Sequence, residues 1–142
     1  MAQASHSVTI NRPIEDVFAF IADGERCPEW RLGVIDIKRI SGDGVGTKYA
    51  QGVKGPMGRR IAADYEVTEF QPSSSLEFQT TTGPARPHGR YDLAAVAGGT
   101  RLTFSLDAQL TGLRKLLMGS MVQRTMDSEV RNLDNAKRIL ES

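Results

Sequence analysis

The chain has 142 residues, with 18 Lys and Arg against 17 Asp and Glu and a formal charge of +1. That length suits one domain, 1–142, and so even a balance gives no global field to attract nucleic acid or a polyanionic substrate. Apolar residues at 39% and charged residues at 25% are globular proportions, while the lone Cys27 excludes an internal disulfide or a multi-cysteine zinc site. The first six residues lack the basic, apolar, small-residue order of a signal peptide, and no run of about 18 apolar residues could span a membrane. These features lead to the expectation of a cytoplasmic domain.

In chain order, residues 7–10 alternate with β-branched character and predict a strand. Asn11 is a candidate N-cap and Pro13 suits a first helical turn, so a helix is expected from Ile14 to Ala22, with Ile14, Val17, Phe18 and Ile21 on one face. A shorter helical piece over residues 25–31 carries Trp30 and is limited by Pro28. Beyond Gly33 the period changes to 2. Strands are expected at 34–40, 47–54, 59–70, around Leu76 to Thr80, at Tyr91 to Ala95 and at Leu102 to Ala108, separated by Gly, Pro and Ser turns. Residues 113–140 return to helical period without proline and predict one helix about 40 Å long. No connection between the six later strands is long enough for a parallel crossover, so the sheet should be antiparallel, with one apolar face for the long helix to cover. The class is α+β.

That order, with Ile10-Asn11-Arg12-Pro13-Ile14-Glu15-Asp16-Val17-Phe18, Cys27-Pro28-Glu29-Trp30, Gly44-Val45-Gly46-Thr47, Tyr65-Glu66-Val67-Thr68-Glu69-Phe70-Gln71-Pro72 and Gly98-Gly99-Thr100-Arg101-Leu102-Thr103, resembles the START-like or Bet v 1-like superfamily. The branch is the polyketide cyclase/dehydrase, or SRPBCC, family. The resemblance implies a helix-grip: a curved seven-stranded antiparallel sheet around a long C-terminal helix, two short helices after strand 1, and a cavity between sheet and helix.

If the apolar strand positions point inward, the cavity wall would draw on Tyr49, Gln51, Tyr65, Phe78 and Thr80, and on Tyr91, Leu93, Phe104 and Leu106. The long helix would add Met118, Met121, Val122 and Met126. Such a wall suits a small hydrophobic or aromatic ligand, and methionine suits a pocket whose contents vary. Core packing alone is the competing reading, since apolar periodicity first means burial. Glu129 falls mid-stripe on the apolar side of the helix. It sits either at a solvated edge or facing the cavity, where it would contact a tyrosine or Gln51. With Tyr65 it is the candidate for acid–base chemistry.

His6 and His88 are too isolated for a metal site or a catalytic triad, and Cys27 reads as a small buried residue. Lys54, Arg59 and Arg60 flank a turn and read as a solvated basic hairpin. Three functions compete: ligand binding without a cofactor, cyclase- or dehydratase-type catalysis, and a co-chaperone-like partner module. The last needs an exposed apolar patch, which the polar strand faces do not offer. A homodimer through a sheet edge or the helix is compatible with the size.

Overall fold

Alternation over the middle of the chain folds into one antiparallel sheet. The computed structural model describes residues 2–110 and 112–142. Its strands are β1 (Ala2–Ile10), β2 (Val34–Ser41), β3 (Lys48–Lys54), β4 (Arg60–Ala62), β5 (Tyr65–Gln71), β6 (Ser75–Thr80), β7 (His88–Val96) and β8 (Gly99–Ala108). The order is β1-β8-β7-β6-β5-β3-β2, with the short β4 paired to β3 off that path. Helices α1 (Ile14–Ala22) and α2 (Cys27–Trp30) follow β1, and α3 (Gly112–Val130) and α4 (Leu133–Glu141) end the chain. This is the helix-grip architecture. Among the described residues no helix is long and apolar enough to cross a membrane.

Pairing with β8, from Ala2 opposite Ala108 to Ile10 opposite Thr100, extends the first strand well beyond the residues 7–10 that its own composition favours. The junction at Ile10 requires Gly99, whose φ is +139° and where a Cβ would lie 2.0 Å from the Ile10 carbonyl oxygen. Gly89 does a similar service inside β7, because a Cβ there would meet the Phe78 ring at 2.1 Å. Phe78 therefore lies flat across its neighbouring strand.

Three expectations are corrected. The strand expected over 59–70 is two strands, β4 and β5. At the crease the Asp64 carboxylate accepts the Gln51 N–H (2.9 Å) and the Asp64 N–H is donated to the Thr82 hydroxyl (2.8 Å), which draws the chain out of the ladder. The single long helix is broken at 131–132. There Asn132 donates its N–H to the Glu129 carbonyl (3.1 Å) and Asp134 donates to Arg131 (3.0 Å), a tightened turn of i to i−3 bonds. Asparagine side chains compete with the helical backbone, and here the Asn135 amide donates to the Trp30 carbonyl (3.1 Å) instead of facing water. Nor does Asn11 cap α1. Pro13 is the cap residue without a side-chain bond, and the Asn11 N–H is donated to the Glu141 carboxylate (2.8 Å), tying the start of α1 to the end of α4.

α1 buries Val17, Phe18, Phe20 and Ile21, and α4 buries Leu133, Ala136 and Leu140 against the same core. Around α4 a polar collar completes the attachment: His6 bonds Asp134 at 2.9 Å, Lys137 donates to the Thr9 carbonyl, and Arg12 donates to the Leu140 carbonyl at 2.8 Å.

Candidate functional site

The concave face carries an unbroken row of aromatic rings. Ladder register creates it, because Tyr49 stands directly opposite Tyr65 and Tyr91 directly opposite Phe104. Tyr49 and Tyr65 stack at 4.9 Å between centroids, Tyr65 and Phe78 lie 5.0 Å apart, Phe78 and Tyr91 6.0 Å, and Tyr91 and Phe104 stack at 4.4 Å. Trp30, from the last position of α2, closes on Tyr91 at 6.2 Å and on Phe104 at 6.3 Å. Its ring is buried, and Nε1 has no hydrogen-bond partner among the described residues. Each contact of this kind adds about 0.5–1.5 kcal/mol beyond simple burial, and the rings together form a continuous floor.

All nine strand positions expected to line a cavity are buried: Tyr49, Gln51, Tyr65, Phe78, Thr80, Tyr91, Leu93, Phe104 and Leu106. The helical positions divide. Val122 and Met126 are buried, Met118 is half-buried, and Met121 is 39% exposed, turned off the wall.

A charge sits in this apolar floor that the sequence reading did not single out. Arg31 follows α2 and shares a face with Cys27 four residues earlier, which turns its guanidinium inward until only 6% of the residue is exposed. Its Nε pairs with the Glu129 carboxylate, and its Nη1 donates to Gln51 Oε1 at 3.1 Å and to Cys27 Sγ at 3.6 Å. Gln51 in turn donates its amide to the Ala63 carbonyl at 3.1 Å. Glu129 is thus held mostly out of water, and it reaches Gln51 only through Arg31. The available signal was Glu129 itself. A carboxylate in the middle of an apolar stripe requires a cation, but nothing in the spacing says which one.

Burial works against the guanidinium's charge, yet Glu129 beside it holds the Arg31 pKa well above its ordinary value. Desolvation pushes the Tyr65 and Tyr91 phenols well above theirs against the opposing pull of Arg31, and burial raises Tyr49 too. At neutral pH the centre is therefore one permanent cation beside protonated phenols. It can donate hydrogen bonds to an oxygen atom and stabilise negative charge there, whereas its nearest carboxylate is engaged.

The space beside Arg31 measures about 10 Å³ and touches Cys27, Tyr49, Tyr65, Phe78 and Tyr91, room for one water. Aromatic rings take up the volume in which an oily chamber was expected. A larger groove of about 350 Å³ lies outside it, lined on one side by Asp23, Glu25 and Ala22 and on the other by Arg39, Thr47, Val67 and Phe70. Tyr49 belongs to both walls and separates them, its hydroxyl accepting the Gly24 N–H at 3.3 Å.

The remaining polar candidates stay apart from this centre. His88 lies at the other face of the sheet, 2.9 Å from Glu77 and 3.8 Å from Asp107. Arg60 pairs with Asp36 at 2.7 Å on the exposed hairpin.

The sequence model of the polyketide cyclase / dehydrase and lipid transport family matches residues 1–138, and the chain belongs to that family. A search of curated proteins finds no sequence match. Among solved structures, TTHA0849 from Thermus thermophilus superposes with a TM-score of 0.82 at 20% identity, covering 97% of this chain and 96% of that one. A START superfamily protein from Mycobacterium smegmatis gives 0.77 at 14% identity, with 99% of each chain covered. The di-domain ARO/CYC StfQ of the steffimycin biosynthetic pathway gives 0.82 at 14% identity, 99% of this chain matching 50% of that one. At these identities the likeness is one of fold.

Proposed function

We propose that the chain binds a small hydrophobic or aromatic molecule on the floor between the sheet and the C-terminal helices, and that Arg31 selects one bearing a carboxylate, enolate or carbonyl oxygen. The buried Arg31 cation among stacked rings carries this reading. A core serving stability alone gains little from a buried ion pair, because desolvation consumes most of the Coulomb attraction and well-packed apolar residues do as well. A charge retained in a shaped apolar site points instead to recognition. The outer groove is the route of entry and Tyr49 the movable wall, since the space beside Arg31 accepts a ligand only when a ring shifts.

The test is calorimetric titration with aromatic carboxylic acids and their uncharged amides. Wild type should prefer the acids, and the double variant Arg31→Met/Glu129→Leu, which leaves no buried charge unpaired, should lose about tenfold or more of that preference. Equal binding of acids and amides by both proteins would remove Arg31 from recognition.

A second reading, cyclase- or dehydratase-type chemistry, draws on the same cation beside the protonated Tyr65 and Tyr91, an arrangement able to stabilise an enolate. It requires Glu129 to leave Arg31 and act as a base. Turnover of an aromatic polyketide mimic that falls in Glu129→Gln and in Tyr65→Phe would favour it.

A further inference from the structure

Antiparallel pairing gathers four connections at one end of the sheet: the link from α2 to β2, the β3–β4 hairpin, the loop over residues 81–87, and the run from β8 into α3. Large apolar side chains stand in solvent there. Leu32 is 71% exposed, Met57 at the hairpin tip 99%, and Leu113, Leu116 and Leu117 on the first turns of α3 are 69%, 81% and 71%. The three leucines follow i, i+3, i+4 spacing and so form one helix face. The patch that the strand faces did not offer is on this helix.

Charge is segregated in the same place. Residues 54–63, 81–88 and 109–126 contain seven Lys and Arg and no Asp or Glu, in a chain whose formal charge is only +1. Asp36 neutralises Arg60, and Asp64 is spent on the Gln51 N–H, but among the described residues Lys54, Arg59 and Lys115 have no carboxylate partner. A second copy docked face to face would set cation against cation. The centre of a protein interface is depleted in lysine, whereas leucines flanked by Lys and Arg suit the headgroup boundary of a membrane.

We propose that this end of the molecule docks on an anionic lipid bilayer, with Leu116, Leu117 and Met57 entering between headgroups and Lys54, Arg59 and Lys115 against the phosphates. Docking here is peripheral and independent of the ligand reading, because none of these side chains touches the Arg31 centre.

Flotation of the full chain with vesicles of phosphatidylglycerol and phosphatidylcholine in equal parts, and with phosphatidylcholine alone, tests it. The chain should float with the anionic vesicles at low salt, and high salt should release it. Each cation near such a surface contributes about fivefold, so Arg59→Gln/Lys115→Gln should weaken partitioning roughly 25-fold. Leu116→Ser/Leu117→Ser should weaken it about tenfold through lost apolar burial, with thermal unfolding unchanged in both. Leu117→Trp adds a direct readout, a blue shift in emission with anionic vesicles over the constant signal of buried Trp30. No flotation at low salt, flotation indifferent to the charge variant, or a solution dimer that Leu116→Ser/Leu117→Ser dissolves would each overturn the proposal.

Discussion

The two C-terminal helices each carry apolar residues on one face, at i, i+3, i+7 in α4 and at i, i+3, i+4 at the start of α3, and these faces meet opposite fates. In α4, Leu133, Ala136 and Leu140 are buried and the polar face is tied to β1 and to Trp30. In the first turns of α3, Leu113, Leu116 and Leu117 stand in water. What separates them is what lies opposite. α4 faces the end of the sheet where α1 and α2 close the core, whereas α3 begins beyond Ala2 and Ala108, past the last paired residues of β1 and β8. Helical periodicity specifies a face; the neighbouring elements decide whether that face is core.

Substitutions can break or sharpen this contrast. Leu133→Ala, at a fully buried site, should cost about 3–5 kcal/mol in urea unfolding; a loss below about 1 kcal/mol would mean that α4 is no better packed than α3. Glu129→Gln, at the boundary between the two, should cost about 3 kcal/mol by stranding the Arg31 charge, and adding Arg31→Met should recover most of it. If the double variant is as unstable as the single one, the pair is not what joins the helix to the floor.

The tyrosines give a pH test of the floor itself. Their folded pKa values are raised by burial, so their contribution to stability is complete below the ordinary phenol pKa near 10 and is lost as pH climbs from there toward the folded values. The urea midpoint should hold level into mildly alkaline pH and then fall, while phenolate absorbance in native protein lags that of unfolded chain. Coincident titrations would place the rings in water. The smallest effect belongs to Leu117→Ala, within about 0.5 kcal/mol of wild type, since the side chain has little packing to lose.

The sheet was legible because alternation is a local signal, and the nine inward strand positions follow from phase alone. Four details were not. The crease at Asp64 depends on Gln51 and Thr82, and the break at 131–132 is flanked by Glu129, paired with Arg31, and by Asn135, bonded to the Trp30 carbonyl, partners far off in sequence. Arg31 was hidden by its type. An arginine after a short helix reads as solvated until the fold carries Glu129 to it, and only the anomaly of that glutamate hinted at a buried cation. The small volume left beside Arg31 was equally invisible, because it depends on how rings from separate strands, Phe78 over Gly89 among them, come together.

Trp30 is the chain's one tryptophan, and its indole lies against Tyr91 and Phe104 within the same cluster as Arg31. The molecule thus carries its own unlabelled optical reporter at the spot where a guest would arrive. Any ring displacement that admits one should register as a change in intrinsic emission, readable in a cuvette without tag or dye.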